Sequence, residues 1–195
     1  MLVSASHVRA LKTAYVGHEH VPLVLDPVLF ATSGTRLLDA QGEAALWDEL
    51  LPLARIFTPN IPEAAQLTGL APDASLEELA TACAQGMGPQ GVVVLKGGHG
   101  HETTVSTDIV RLPNGVSFRL DAPWIDTGCS RGTGCTFAAA IASGLASKLP
   151  VDRAIRQAKA YITGALKSGA PLRGGRGPVD HLWQRFDRGE TTRDG

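Results

Sequence analysis

Arg131-Gly132-Thr133-Gly134-Cys135-Thr136 sets a cysteine just ahead of a run of small and apolar residues, 137–145, that reads as the start of a buried helix. A glycine-rich turn feeding a helix collects backbone N–H groups at the positive end of the helix dipole, which suits phosphate or another anion. A thiol in the first turn lies in the same field, where the thiolate is favoured, so Cys135 is a candidate base or nucleophile. The same six residues also fit a plain helix entry whose cysteine packs inside.

Polar residues recur at the ends of apolar runs. Val21-Pro22-Leu23-Val24-Leu25 stops at Asp26-Pro27, Arg55-Ile56-Phe57 at Thr58-Pro59-Asn60, and Gly91-Val92-Val93-Val94-Leu95 at Lys96-Gly97-Gly98. Such runs suit strands covered on both faces, and open α/β sheets bind ligands at the carboxyl ends of their strands. Asp26, Asn60 with Glu63, Lys96 and the glycine turn are therefore expected to face one crevice. Singly, each has a local reading: Asp26 as a turn former, Asn60 as a helix cap, Glu63 as a dipole partner, Lys96 as a solvated cation. Jointly, a carboxylate pair, a lysine and an anion-binding turn are the parts of a Mg-nucleotide phosphoryl-transfer site.

The elements needed to position them follow from periodicity. Alternation of short apolar runs with longer amphipathic stretches predicts an α/β domain with a largely parallel sheet, spanning residues 1–195 as one unit. Helices are expected at 37–51, where Leu38, Ala45, Leu46 and Leu50 recur, and at 75–85, opened by a Ser75/Glu78 capping box. Residues 103–111 and 116–121, on either side of Leu112-Pro113-Asn114-Gly115, read as a hairpin. Two further helices are expected at 136–148 and 151–167, and a frayed polar end at 188–195.

Composition narrows the function. The chain has 195 residues, 44% hydrophobic and 19% charged, with a net charge of −1, which offers no basic surface for nucleic acid or an anionic membrane. No apolar run is long enough to span a bilayer and residues 1–12 lack a signal-peptide pattern, so a cytoplasmic location is expected. Cys83, Cys129 and Cys135 form no C-x-x-C pair, and His18-Glu19-His20 and His99-Gly100-His101 lack structural-zinc spacing. Cys83, in register with Leu76 and Leu79, is expected in the core.

Five blocks occur in order: Asp26-Pro27-Val28 with Ser33-Gly34, Thr58-Pro59-Asn60-Ile61-Pro62-Glu63-Ala64, Lys96-Gly97-Gly98-His99, Gly132-Thr133-Gly134-Cys135-Thr136, and Gly177-Pro178-Val179-Asp180-His181. The series resembles the hydroxymethylpyrimidine/phosphomethylpyrimidine kinases of thiamine biosynthesis, in the ribokinase-like superfamily. The resemblance implies a three-layer α/β/α fold with a mostly parallel sheet, ATP and Mg²⁺ as cofactors, a small pyrimidine substrate and a homodimer. It implies Cys135 as the group that takes the substrate proton, with the amides of Gly132, Thr133, Gly134 and Cys135 as the anion hole. Lys96, Gly97, Gly98, Asn60 and Thr133 would serve the nucleotide, Asp26 and Glu63 the metal, and Met1, Val28 and Cys135 the pyrimidine. Pyridoxine or pyridoxal kinases are the nearest alternative, and a non-catalytic nucleotide-binding fragment is a second.

Two departures stand out. Arg131 and Arg176 occupy positions where the family usually has histidine; Arg131 either reinforces the anion hole or points to solvent. The strand and glycine-rich segment that open the family domain have no counterpart, and Met1-Leu2 resembles the stretch that follows them. Three accounts fit, a misplaced start in a longer protein, a fragment, or a degenerate remnant; the expectation is one of the first two, a truncated true kinase with an exposed sheet edge.

Overall fold

The computed structural model describes residues 2–31, 33–97, 104–170 and 177–187. The chain divides into two compact units: the first holds the elements up to residue 97 and most of a β-hairpin, the second the helices from residue 133 onward.

The first unit opens with α1 (Ala5–Tyr15), followed by β1 (Val24–Leu25), α2 (Ala40–Ala45), β2 (Ile56–Phe57), α3 (Ile61–Thr68), α4 (Leu76–Gln85) and β3 (Val92–Lys96). The hairpin strands are β4 (Val105–Arg111) and β5 (Ser117–Pro123). Sheet order is β1-β2-β3-β4-β5. Val24 pairs with Ile56 and Ile56 with Val92 in parallel, whereas Val94 faces Val110 in an antiparallel pairing. The α/β fold expected from the sequence is thus present, parallel through β3 and turned back at the hairpin. β1 is shorter than the apolar run 21–25 because Pro22 and Pro27 bracket it and bring no N–H to a ladder. Asn114 and Gly115 close the hairpin, with Gly115 at φ 82° and its N–H on Leu112 O at 3.0 Å.

The helix expected at 37–51 is built in three gauges. Asp39 caps α2 by accepting from Gly42 N–H at 2.6 Å, Leu46–Leu50 widens into a π-helix, and Leu51–Leu53 tightens into a 3₁₀ turn. Pro52 explains the change: its ring crowds the carbonyl of the preceding turn and supplies no N–H, so a uniform α-helix cannot run through it. Leu46, Leu50 and Leu51 are all buried, with Leu25, Leu29, Phe57, Leu79, Cys83, Val93 and Leu95, in the core of this unit. α4 keeps its predicted bounds and its Ser75/Glu78 capping box.

In the second unit α5 (Thr133–Ala146) packs on α6 (Val151–Lys167), and α7 (Trp183–Asp187) lies against α6. A Cβ on Gly144 would sit 2.9 Å from Ala154 Cβ, so glycine lets the two long helices approach closely. Phe137, Ile141, Ile155 and Ile162 are buried there. No helix among the described residues is long and apolar enough to cross a membrane.

Candidate active site

In the first unit, the carboxyl ends of β1, β2 and β3 bring together Asp26, Thr58, Asn60, Glu63 and Lys96. Lys96 ends β3 and is tied to the segment after β2 by its N–H on Pro59 O at 2.8 Å and by a parallel bridge to Asn60. Its Nζ donates to Asp26 Oδ1 at 2.8 Å, with the side chains 18% and 13% exposed, so the cation is held by a carboxylate and is not a solvated loop charge. Thr58 Oγ1 donates to the same oxygen at 2.9 Å.

Asn60 caps α3, and the cap is reciprocal. Glu63 N–H donates to Asn60 Oδ1 and Asn60 N–H donates to Glu63 Oε2, both at 2.8 Å. Pro62 fits this first turn because no N–H is required there. Glu63 is buried, and burial pushes its carboxyl above the ordinary glutamate value; Lys96 and the Asn60 amide pull it back, while Asp26 adds to the rise. Two carboxylates thus lie within electrostatic reach of one lysine.

Val28 has φ 41°, a backbone region that a β-branched residue rarely occupies. It starts a narrow loop: Leu37 N–H donates to Leu29 O at 2.8 Å, Phe30 bridges Arg36, and Gly34 turns the chain at φ 82°. The strain falls beside Asp26, where tightly shaped backbone accompanies function in many proteins. Gly97 follows Lys96 with its N–H on Asp108 Oδ1 at 3.2 Å, and a Cβ there would collide with the Thr107 carbonyl. Met1, Gly98, His99 and Arg176 lie outside the described residues.

In the second unit α5 starts three residues earlier than periodicity suggested. Gly132 is the N-cap at φ 83°, and Thr133, Gly134 and Cys135 wind into the first turn. The Thr133 hydroxyl donates to Ser130 O at 2.6 Å and its N–H to the same oxygen at 3.3 Å, so Thr133 is turned back into the preceding loop. Gly134 and Cys135 supply first-turn amides, which have no carbonyl partner within a helix. The Cys135 side chain is exposed, whereas Cys83 and Cys129 are buried. Arg131 is exposed and joins this turn to the last motif block through its backbone: its N–H donates to Gly177 O at 3.2 Å, and Val179 N–H to Arg131 O at 3.3 Å.

Thr58 and Asp108 were not singled out by sequence reasoning. A threonine closing an apolar strand has no distinctive spacing, and Asp108 becomes informative only through the β3–β4 register that sets it opposite Lys96.

A glycine-started helix and a charged cluster at the ends of parallel strands are parts of a ribokinase-like α/β fold, and solved structures agree. The Staphylococcus aureus pyridoxal kinase in complex with AMP-PCP and pyridoxal matches with a TM-score of 0.81 at 29% identity, over 93% of this chain and 65% of that one. The phosphomethylpyrimidine kinase of Clostridium difficile matches with a TM-score of 0.69 at 29% identity, over 85% of this chain and 66% of that one. A family model described as phosphomethylpyrimidine kinase covers residues 1–180, and the chain belongs to that family. It is 42% identical over 163 residues to the hydroxymethylpyrimidine/phosphomethylpyrimidine kinase of Haemophilus influenzae, a match that takes in 82% of this chain. The chain spans 60% of the length of that relative.

Proposed function

We propose that the chain is the catalytic part of an ATP-dependent kinase that phosphorylates 4-amino-5-hydroxymethyl-2-methylpyrimidine, its monophosphate, or both. The observation that carries this reading is the cluster at the strand ends, in which Lys96, Asp26 and Glu63 set one positive and two negative charges around the start of α3. Homology to kinases of this name agrees with it.

In the proposed reaction the substrate hydroxyl, or a phosphate oxygen when the monophosphate is the acceptor, attacks the γ-phosphorus of ATP in line. A new O–P bond forms, the bond to the bridging oxygen breaks, and ADP leaves. Cys135, exposed in the first turn of α5, takes the hydroxyl proton onto sulfur. The amides of Gly134 and Cys135 meet charge spread over the phosphoryl oxygens, Gly132 gives the turn its left-handed bend, and Thr133 holds it to Ser130. Lys96 lends positive charge toward the nucleotide phosphates, with Gly97 and Asn60 on that side and Gly98 assigned to it by the family resemblance. The resemblance likewise assigns Val28 and Met1 to the pyrimidine.

The carboxylates suit Mg²⁺. This ion takes one or two carboxylates and fills its remaining positions with water and phosphate oxygens. Asp26 and Glu63 are two such groups, and Asp26 Oδ2 is in neither of the contacts made by Oδ1. When bound, the ion would neutralise charge on the phosphates. We assign the assembled state as a homodimer, which light scattering on the purified protein checks.

The likeness to pyridoxal kinases favours a second reading in which pyridoxal is the acceptor. A coupled ADP-release assay on the purified chain with both acceptors separates the two. A higher kcat/KM with hydroxymethylpyrimidine is expected; a higher value with pyridoxal overturns the assignment. Nucleotide binding with turnover of neither acceptor identifies a non-catalytic fragment.

A further inference from the structure

Thr58 has no role in the reading above. It follows Ile56-Phe57 at the end of β2, is fully buried, and continues the β1–β2 ladder through its N–H on Leu25 O at 3.0 Å. An apolar residue would fill this place without a polar group to satisfy, whereas a buried hydroxyl needs a partner. That partner is the Asp26 carboxylate, which accepts from Thr58 Oγ1 at 2.9 Å. Lys96 Nζ donates to the same oxygen, Oδ1, at 2.8 Å. Donors from two neighbouring strands therefore meet on one oxygen of a carboxylate carried by a third. A carboxylate held by a single contact can rotate about its last torsion, which is broad; two donors fix its plane.

We propose that Thr58 is a positioning residue for phosphoryl transfer: together with Lys96 it fixes Asp26 through Oδ1 and keeps Oδ2 for the reacting side. The inference rests on the kinase reading. Thr58 acts only through Asp26, and small misplacements of a charged group at a transfer site cost rate because the geometry has to be held before the reaction starts.

The test compares Thr58→Val, which removes the hydroxyl at nearly constant volume, with Thr58→Ser, which keeps it; Thr58→Ala replaces the valine variant if that does not fold. In steady-state kinetics Thr58→Val lowers kcat about 10- to 100-fold, the range for losing a hydrogen bond to a charged group, while KM for ATP and for the pyrimidine stays within about threefold. Thr58→Ser keeps kcat within about threefold, and Thr58→Val added to Asp26→Asn lowers kcat by less than about twofold further, because coupled residues are not additive. Crystal structures of the two single variants give a readout that needs no turnover: the Asp26 carboxylate turns about its last torsion in Thr58→Val, while still paired with Lys96, and keeps its native plane in Thr58→Ser. The proposal is overturned if serine is as slow as valine, if valine turns over like the native chain, or if Asp26 is unmoved in the valine variant. A native chain that yields no phosphorylated product sinks the kinase reading instead, and the crystallographic comparison then decides alone whether Thr58 fixes Asp26.

Discussion

Asn60 and Glu63 each satisfy the other's backbone N–H, so the carboxylate that the family resemblance assigns to a cation also closes the first turn of α3. Structural and chemical duties therefore fall on the same two residues, and substitutions can part them. Asn60→Ala removes the cap and is expected to cost about 1 kcal/mol in urea unfolding. Glu63→Gln keeps an acceptor for the Asn60 amide, folds, and loses turnover; a Gln variant as active as the native chain would show that Glu63 only caps.

Glu63 also sets a pH dependence. Burial raises its folded-state value above the ordinary 4.5, so the folded chain binds this proton more tightly than the unfolded one. Its contribution to stability is complete below the ordinary value and is lost as pH rises through the raised one. Urea midpoints of the native chain, measured relative to Glu63→Gln, should fall as pH is raised upward from 4.5. A difference that stays flat over that interval contradicts the burial argument.

Lys96 compensates Asp26 in a place with little solvent, the two side chains being 18% and 13% exposed. Lys96→Met leaves that carboxylate beside Glu63 without its cation and is expected to destabilise by about 3 kcal/mol. Combining it with Asp26→Asn should recover part of the loss, because the uncompensated charge is then gone. Chemical denaturation of the two single variants and the double variant measures this; losses that simply add would show that the pair is not coupled.

Gly97 has no room for a side chain against the Thr107 carbonyl. Gly97→Ala must shift either β4 or the segment after Lys96, at about 1–3 kcal/mol, the usual cost of overpacking. Thermal melting reports the stability change, and calorimetric titration with AMP-PCP should show weaker binding. Native-like values in both would mean that the segment adapts freely.

Cys135 differs from the other thiols in being exposed. Burial pushes the Cys83 thiol up to about 12, so iodoacetamide near neutral pH should modify Cys135 and spare Cys83, as read by peptide mass. Cys135→Ala is expected to lower kcat at least tenfold with nucleotide affinity nearly unchanged; unaltered turnover removes its role as proton acceptor.

What the sequence revealed depended on how local the cause was. α4 was legible because Ser75 and Glu78 announce its start and leucines mark its buried face, and α6 runs over the expected 151–167 because its apolar stripe is clear. α1 escaped notice since only Ala5 and Val8 are buried in it, too few to show a period. α3 was visible only as a cap and a dipole partner, since its eight residues bury only Glu63, Ala64 and Ala65, too few to show a period. At the site, Asp26, Asn60, Glu63 and Lys96 stood out as polar residues ending apolar runs. Thr58 and the left-handed backbone of Val28 did not, because one depends on a partner 32 residues away and the other on a backbone angle.

The π-helix at Leu46–Leu50 has a consequence for comparing this chain with its relatives. A π turn accommodates one more residue than the α turn it replaces, and here the surplus is taken up inside a helix, ahead of Pro52, where length changes are normally disallowed. A homologue one residue shorter at this point, and without the proline, can relax to an ordinary α-helix and still deliver β2, with Thr58 and Asn60 behind it, to the same place. A single-residue gap drawn through this helix in an alignment is therefore physically sensible, and pushing it into the neighbouring loop would misregister the strand that carries the site.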